Sequence, residues 1–232
     1  MSIGSFVKKT DRVLAVKHLQ ALFFTFTIVL ASISLYTENL WIFFPWIILS
    51  SIMLTYHFKD DKPWLLVPNW ITFFRLLLLL GITLFWYTLS LIELSVFVFP
   101  IVILDFIDGF TAKRFGMKSE FGAIFDAETD ALFILVISII FVFKYELSFW
   151  LTGMGFLRFI YGLYFIVIPA SINSESVRIG NRNLYSVIAG SVLVLLALCT
   201  LLTVIWVNRL LLLCNLLLVF SFVHSFYSQK TL

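Results

Sequence analysis

From Leu19 to the C-terminus, apolar runs of about twenty residues alternate with short polar connections. A run of that length crosses the roughly 30 Å hydrocarbon core of a bilayer as an α-helix, which satisfies its own backbone hydrogen bonds where water cannot reach. Alternating polar and apolar strands, which a barrel would need, are too few. The pattern therefore predicts an all-α, polytopic membrane helix bundle. Its eight spans fall at about residues 19–36, 40–57, 66–90, 92–114, 121–143, 147–171, 184–206 and 209–227. Composition agrees, with 62% of the 232 residues hydrophobic and 12% charged, a balance suited to lipid rather than water.

The first apolar stretch is too long for a signal-peptide core and no small-residue cleavage site follows it, so a retained first helix is expected. Ahead of it, residues 1–18 interleave Lys8, Lys9, Arg12 and Lys17 with Phe6, Val7, Val13, Leu14 and Val16. Such a segment suits a basic amphipathic helix on an anionic membrane surface, with a disordered basic tail as the alternative.

Charge fixes the expected orientation. With the N-terminus inside, twelve cations fall in cytoplasmic segments, against Lys144 and Arg209 outside and Arg75 and Arg158 within spans. Both termini and the connection between the fourth and fifth spans are thereby placed at the cytoplasmic face. The net charge of +3 is this positive-inside bias and calls for no nucleic-acid partner. Cys199 and Cys214 read as small packing residues, and His18, His57 and His224 form no metal-ligand spacing.

Chemistry concentrates in residues 105–130, DFIDGFTAKRFGMKSEFGAIFDAETD. Asp105 and Asp108 are three apart and share a helix face, and Asp126 and Asp130, four apart, share one on the next helix. A tight turn around Gly116 would let the two pairs converge. Carboxylates at membrane depth cost several kcal/mol unless a cation or water-filled cavity compensates them. Hard oxygen ligands at this density suit Mg²⁺ or Mn²⁺ better than zinc. Glu128 lies about 200° round the helix from Asp126 and is expected to point elsewhere. Gly109, Ala112 and Gly122 remove side-chain bulk beside the acids, which suits either the approach of a flat nucleotide or close helix packing.

These residues resemble the signature of the CDP-alcohol phosphotransferases, Asp-x2-Asp-Gly-x2-Ala-Arg-x8-Gly-x3-Asp-x3-Asp, with Asp105, Asp108, Gly109, Ala112, Gly122, Asp126 and Asp130 at the matching positions. Six fixed Asp and Gly positions at usages of about 5–7% arise by chance on the order of 10⁻⁸ per starting point, so the match is specific. Lys113 stands where the family usually has Arg, keeping the charge but losing the planar fork. Upstream, Pro68, Asn69, Thr72 and Arg75 are similar to the Pro-Asn-x-x-Thr-x-x-Arg opening of the family's first core helix, where Asn and Thr line the nucleotide end of the site. The resemblance implies a six-helix core over residues 66–232, with residues 19–65 as two additional helices.

It implies, further, transfer of a phosphatidyl group from CDP-diacylglycerol or a related CDP-linked donor to an alcohol, with release of CMP. Asp105, Asp108, Asp126 and Asp130 would hold Mg²⁺ or Mn²⁺, two ions being expected, and Asp130 would also be the general base. Asn69, Thr72, Asp108, Gly109, Ala112, Lys113 and Gly122 would bind the donor. Arg158, with Arg178 and Arg182 in the loop after it, reads as a pocket for an acceptor phosphate, although topology alone also calls for loop arginines. Glycerol 3-phosphate or another phosphorylated polyol is then favoured over serine, choline or inositol, as in phosphatidylglycerophosphate synthases. A homodimer in a bacterial cell membrane is expected by the same resemblance. A cation transporter would instead spread its acids along several helices near the midplane, and a non-catalytic relative would have lost motif aspartates.

Overall fold

The computed structural model describes residues 3–59, 63–117, 119–147, 149–167, 188 and 190–230. Among them are eight helices and no strand: α1 (Ile3–Thr37), α2 (Phe43–His57), α3 (Val67–Phe85), α4 (Leu91–Arg114), α5 (Glu120–Tyr145), α6 (Gly153–Val167), α7 (Gly190–Cys199) and α8 (Val204–Lys230). Helix order follows the apolar runs. By length and composition the segments Val16–Thr37, Leu40–His57 and Val67–Phe85 can each cross a membrane. One boundary differs in kind from the expectation: α1 is continuous over 35 residues, so the basic segment and the first span are parts of a single element. The side chains of residues 3–15, on which the amphipathic reading rests, lie outside the described residues.

Local signals set the helix starts around the motif. Ser90 and Glu93 form a reciprocal capping box at the head of α4, the Glu93 carboxylate accepting from the Ser90 amide at 2.7 Å. At the head of α5 the Ser119 hydroxyl accepts from the Gly122 amide at 2.9 Å. Between these helices Gly116 takes a φ of +65°, the left-handed conformation that a tight turn there requires. Pro68 sits in the first turn of α3, where a missing amide proton costs nothing.

Helix α5 is the axis of the bundle. Every residue from Glu128 to Phe141 is buried, so this helix is surrounded rather than one-sided. It packs against α2, α3 and α6, and α4 lies along α3. The two N-terminal helices join this body instead of standing apart from it. Phe23 and Phe24 of α1 pack on Phe159 of α6, Trp46 of α2 donates to the Thr27 hydroxyl at 2.9 Å, and Trp41 donates to the Leu84 carbonyl at 3.2 Å. Near the start of α3 and α5, Trp64, Trp70, Phe73, Phe121 and Phe125 form a cluster of mostly edge-to-face rings. Outward faces carry Leu22, Phe26, Val29, Ile103, Phe106 and Phe110, the kind of surface a bilayer covers.

Helices α5 and α6 approach closely: among the described glycines, Gly155 alone would bring an added Cβ against backbone, 2.8 Å from Leu135 Cα. Backbone cannot swing aside as a side-chain tip can. Gly155→Ala should therefore destabilise the fold by about 1–3 kcal/mol, as overpacking does. Gly190→Ala, whose Cβ meets open space, should leave stability unchanged. Thermal melts in detergent check the pair, and equal melting temperatures would show that the α5–α6 contact can yield.

Candidate active site

Three helices bring their polar residues to one level. Arg75 is eight residues into α3, Asp105 and Asp108 lie nine and six residues before the end of α4, and Asp126 and Asp130 lie six and ten residues into α5. At 1.5 Å per residue, all five sit about 9–15 Å from the same end of the bundle. The two carboxylate pairs converge as the helical spacing predicts.

At their centre is the Arg75 guanidinium, which has no exposed surface. Its Nη1 lies 3.0 Å from Asp108 Oδ2 and 2.6 Å from Asp126 Oδ1. Its Nη2 lies 3.0 Å from Asp105 Oδ1 and also pairs with Asp130 Oδ1. One planar cation thus bridges four acids from two helices, a geometry that a lysine ammonium could not reproduce. Arg75 is the site residue whose role spacing did not disclose. Its position in the Asn69–Thr72–Arg75 sector was the available signal, because a charge eight residues into an apolar helix needs a partner.

Oxygen atoms of Asp105, Asp108 and Asp126 all lie within 4.8 Å of one another, and Asp108 is buried while the other two are partly so. Three convergent hard donors fit Mg²⁺ or Mn²⁺ by chemistry and spacing. Asp130, which pairs with Arg75 as the other three do, is not part of that triple. Charge is compatible with this, since four carboxylates share a single guanidinium and a divalent cation would balance the excess negative charge they carry when ionised.

The remaining expected residues divide. Thr72 places its hydroxyl 3.2 Å from both the Pro68 carbonyl and Asp108 Oδ2, so it orients a carboxylate of the cluster. Asn69 is buried, and its Oδ1 would stand 2.5 Å from a Cβ added at Gly122. Gly122 is therefore a packing glycine that lets α3 approach α5. Gly109 differs, since a Cβ there would meet nothing within 4 Å, and it borders open space beside Asp108. Arg158 Nη2 donates to the Ala127 carbonyl at 3.0 Å, which brings α6 to the turn of α5 holding Asp126. The side chains of Ala112 and Lys113, and all of Arg178 and Arg182, lie outside the described residues. Glu128 points away from the four aspartates, as the 200° offset predicts, into a small cavity bordered by α1 and α2.

With this geometry in hand, comparison with known proteins is specific. Residues 65–227 match the family model for CDP-alcohol phosphatidyltransferases. The CDP-diacylglycerol–glycerol-3-phosphate 3-phosphatidyltransferase of Wigglesworthia glossinidia brevipalpis is 29% identical over 125 residues, a stretch covering 52% of this chain and 65% of that relative. No solved structure matches the chain.

Arg75 can be tested apart from any activity. Removing one partner from a buried ion cluster typically costs about 3–5 kcal/mol, because the remaining charge is stranded. Arg75→Gln should melt well below the unaltered protein, and Mn²⁺ should raise its melting temperature more than it raises that of the unaltered protein. An identical Mn²⁺ response in both proteins would mean that Arg75 and the metal do not answer to the same four acids.

Proposed function

We propose, from the premise that the chain belongs to the CDP-alcohol phosphatidyltransferase family, that it transfers a phosphatidyl group from CDP-diacylglycerol to an alcohol and releases CMP. The observation that carries this reading is the convergence of Asp105, Asp108 and Asp126 within 4.8 Å, with Asp130 held beside them by Arg75. Mg²⁺ or Mn²⁺ held by the three convergent acids, in a pair of ions, would neutralise the donor pyrophosphate and the leaving CMP.

The chain's own groups do the rest. An alcohol is a weak nucleophile at neutral pH, so a carboxylate must take its proton as the new bond forms. Asp130 is assigned that role and can lend a further metal ligand. The acceptor oxygen bonds to the phosphorus that carries diacylglycerol, its proton passes to Asp130, and the pyrophosphate bond to CMP breaks. Arg75 keeps the base and the ligands in fixed relation throughout. Open space beside Gly109 suits the close approach of the nucleotide, with Asn69, Thr72, Ala112 and Lys113 as further donor contacts.

Glycerol 3-phosphate is the acceptor we favour. The relative named above uses it, and Arg158 brings a guanidinium to the level of the aspartates. Arg178 and Arg182 would complete that anion pocket. The positive-inside bias supports a site at the cytoplasmic face of a bacterial cell membrane, and the family resemblance supports a homodimer.

Purified protein in detergent should release CMP from CDP-diacylglycerol with Mg²⁺ or Mn²⁺ and glycerol 3-phosphate, and lose that activity in EDTA. Full turnover without divalent metal would refute the mechanism, and preference for serine, choline or inositol would refute the acceptor alone. Asp130→Asn should lower turnover by about 10²- to 10⁴-fold, the usual contribution of a general base, with little change in donor KM. Asp105→Asn should weaken metal binding as well.

Arg158→Ala should raise the KM for glycerol 3-phosphate by roughly ten- to a hundredfold, the equivalent of one charge-assisted contact, and leave the KM for CDP-diacylglycerol nearly constant. Steady-state kinetics in each substrate separates this from a packing role, which would move both constants together.

A further inference from the structure

Helix α5 carries a third acid in this region, and the proposed reaction does not use it. Glu128 is 8% exposed and has no hydrogen-bond or ion-pair partner among the described residues. It lines a cavity with Ser50 and Ser51 of α2, Thr129 of α5, and apolar walls from Phe23, Leu76 and Leu132. The space open to the centre of a water molecule is about 10 Å³, close to what a single water needs.

Every hydroxyl proton on this wall is committed elsewhere. Ser50 Oγ donates to the Ile47 carbonyl at 3.1 Å, Ser51 Oγ donates to the same carbonyl at 2.7 Å, and Thr129 Oγ1 donates to the Phe125 carbonyl at 2.8 Å. Each hydroxyl has one proton, so all three present lone pairs only. In its ionised form Glu128 finds no donor on that wall, and a buried polar group without a partner is costly. A water molecule, with two protons to give, satisfies both sides at once.

We propose that Glu128 is a positioning residue: it and the α2 serines hold one buried water that clips the N-terminal hairpin α1–α2 to α5, and so sets the rotation at which α5 presents Asp126 and Asp130. Glu128 lies two residues from each of these aspartates on the same helix, so a rotation of α5 that relieved the clip would move both. The inference rests on the metal-binding reading of Asp105, Asp108 and Asp126 but not on the identity of the reaction. Its occupant is water, and a monovalent cation is the outcome that would replace it.

The test is Mn²⁺ binding to the purified full chain in detergent, read by calorimetry and independent of turnover, together with thermal melts. Glu128→Gln keeps the shape and adds protons for the serine lone pairs, so it should bind Mn²⁺ within about twofold of the unaltered protein. Glu128→Leu should weaken Mn²⁺ binding by about tenfold, the lower end of what altering the support of a metal ligand costs. Ser50→Ala with Ser51→Ala should act in the same direction, and it leaves α5 untouched if the leucine variant fails to fold. Normal Mn²⁺ affinity in folded Glu128→Leu or in the serine double variant would overturn the proposal, even if the melting temperature fell. A melting temperature that rises with Na⁺ over choline at constant ionic strength, and loses that response in Glu128→Gln, would overturn the water in favour of a cation. Absence of Mn²⁺ binding by the unaltered protein would instead refute the metal reading beneath the proposal.

Discussion

One buried guanidinium constrains this architecture more than any apolar contact does. Arg75 comes from α3, Asp105 and Asp108 from α4, and Asp126 and Asp130 from α5, so the pairing fixes the depth and rotation of three helices at once. Apolar faces tolerate sliding because one methyl group replaces another at little cost. A fork with two nitrogens, each shared between two carboxylates, allows far less displacement. The same cluster sets four carboxylates against one guanidinium, an excess of negative charge that a divalent ion would balance. A single device therefore orders the helices and leaves a demand that a metal can meet.

The parts of this arrangement that were legible in the sequence are those governed by helical periodicity. Spacings of three and four put each aspartate pair on one face, and a glycine between the pairs marked the turn, where Gly116 does take a positive φ. What periodicity cannot supply is the partner across helices. Spacing shows that Arg75 shares a sector with Asn69 and Thr72, but the acids it meets lie 30 to 55 residues further along the chain. The motif glycines show the same limit. Gly109 next to Asp108 and Gly122 one turn before Asp126 both read as small residues beside an acid, yet one borders open space and the other admits Asn69, a distinction that exists only once α3 is docked. Thr72 was legible as polar and inward-facing. That it orients Asp108, in addition to any contact with a donor, depends on where α4 comes to rest.

The continuity of α1 has a similar origin. A cluster of lysines followed by an apolar run reads as two segments with different solvents, and composition gives no reason for the helix to persist across the change. Backbone hydrogen bonding supplies that reason, since extending an existing helix adds one bond for each residue fixed, whereas starting a new helix carries a nucleation cost.

The N-terminal hairpin gains its meaning from α5. The family match begins at residue 65, so α1 and α2 lie outside it and could be taken for an appendage. Over the stretch where α5 is surrounded, from Glu128 to Phe141, an acid cannot turn freely toward water and looks to a neighbouring helix for its partners. Arg75 on α3 answers Asp126 and Asp130. Glu128, on the opposite face of the same turn, looks toward α1 and α2, and α2 is the helix that brings hydroxyls to it. The hairpin and this glutamate therefore belong to one structural arrangement, in which a pair of helices outside the matched residues 65–227 packs behind the face of α5 that carries Asp126 and Asp130.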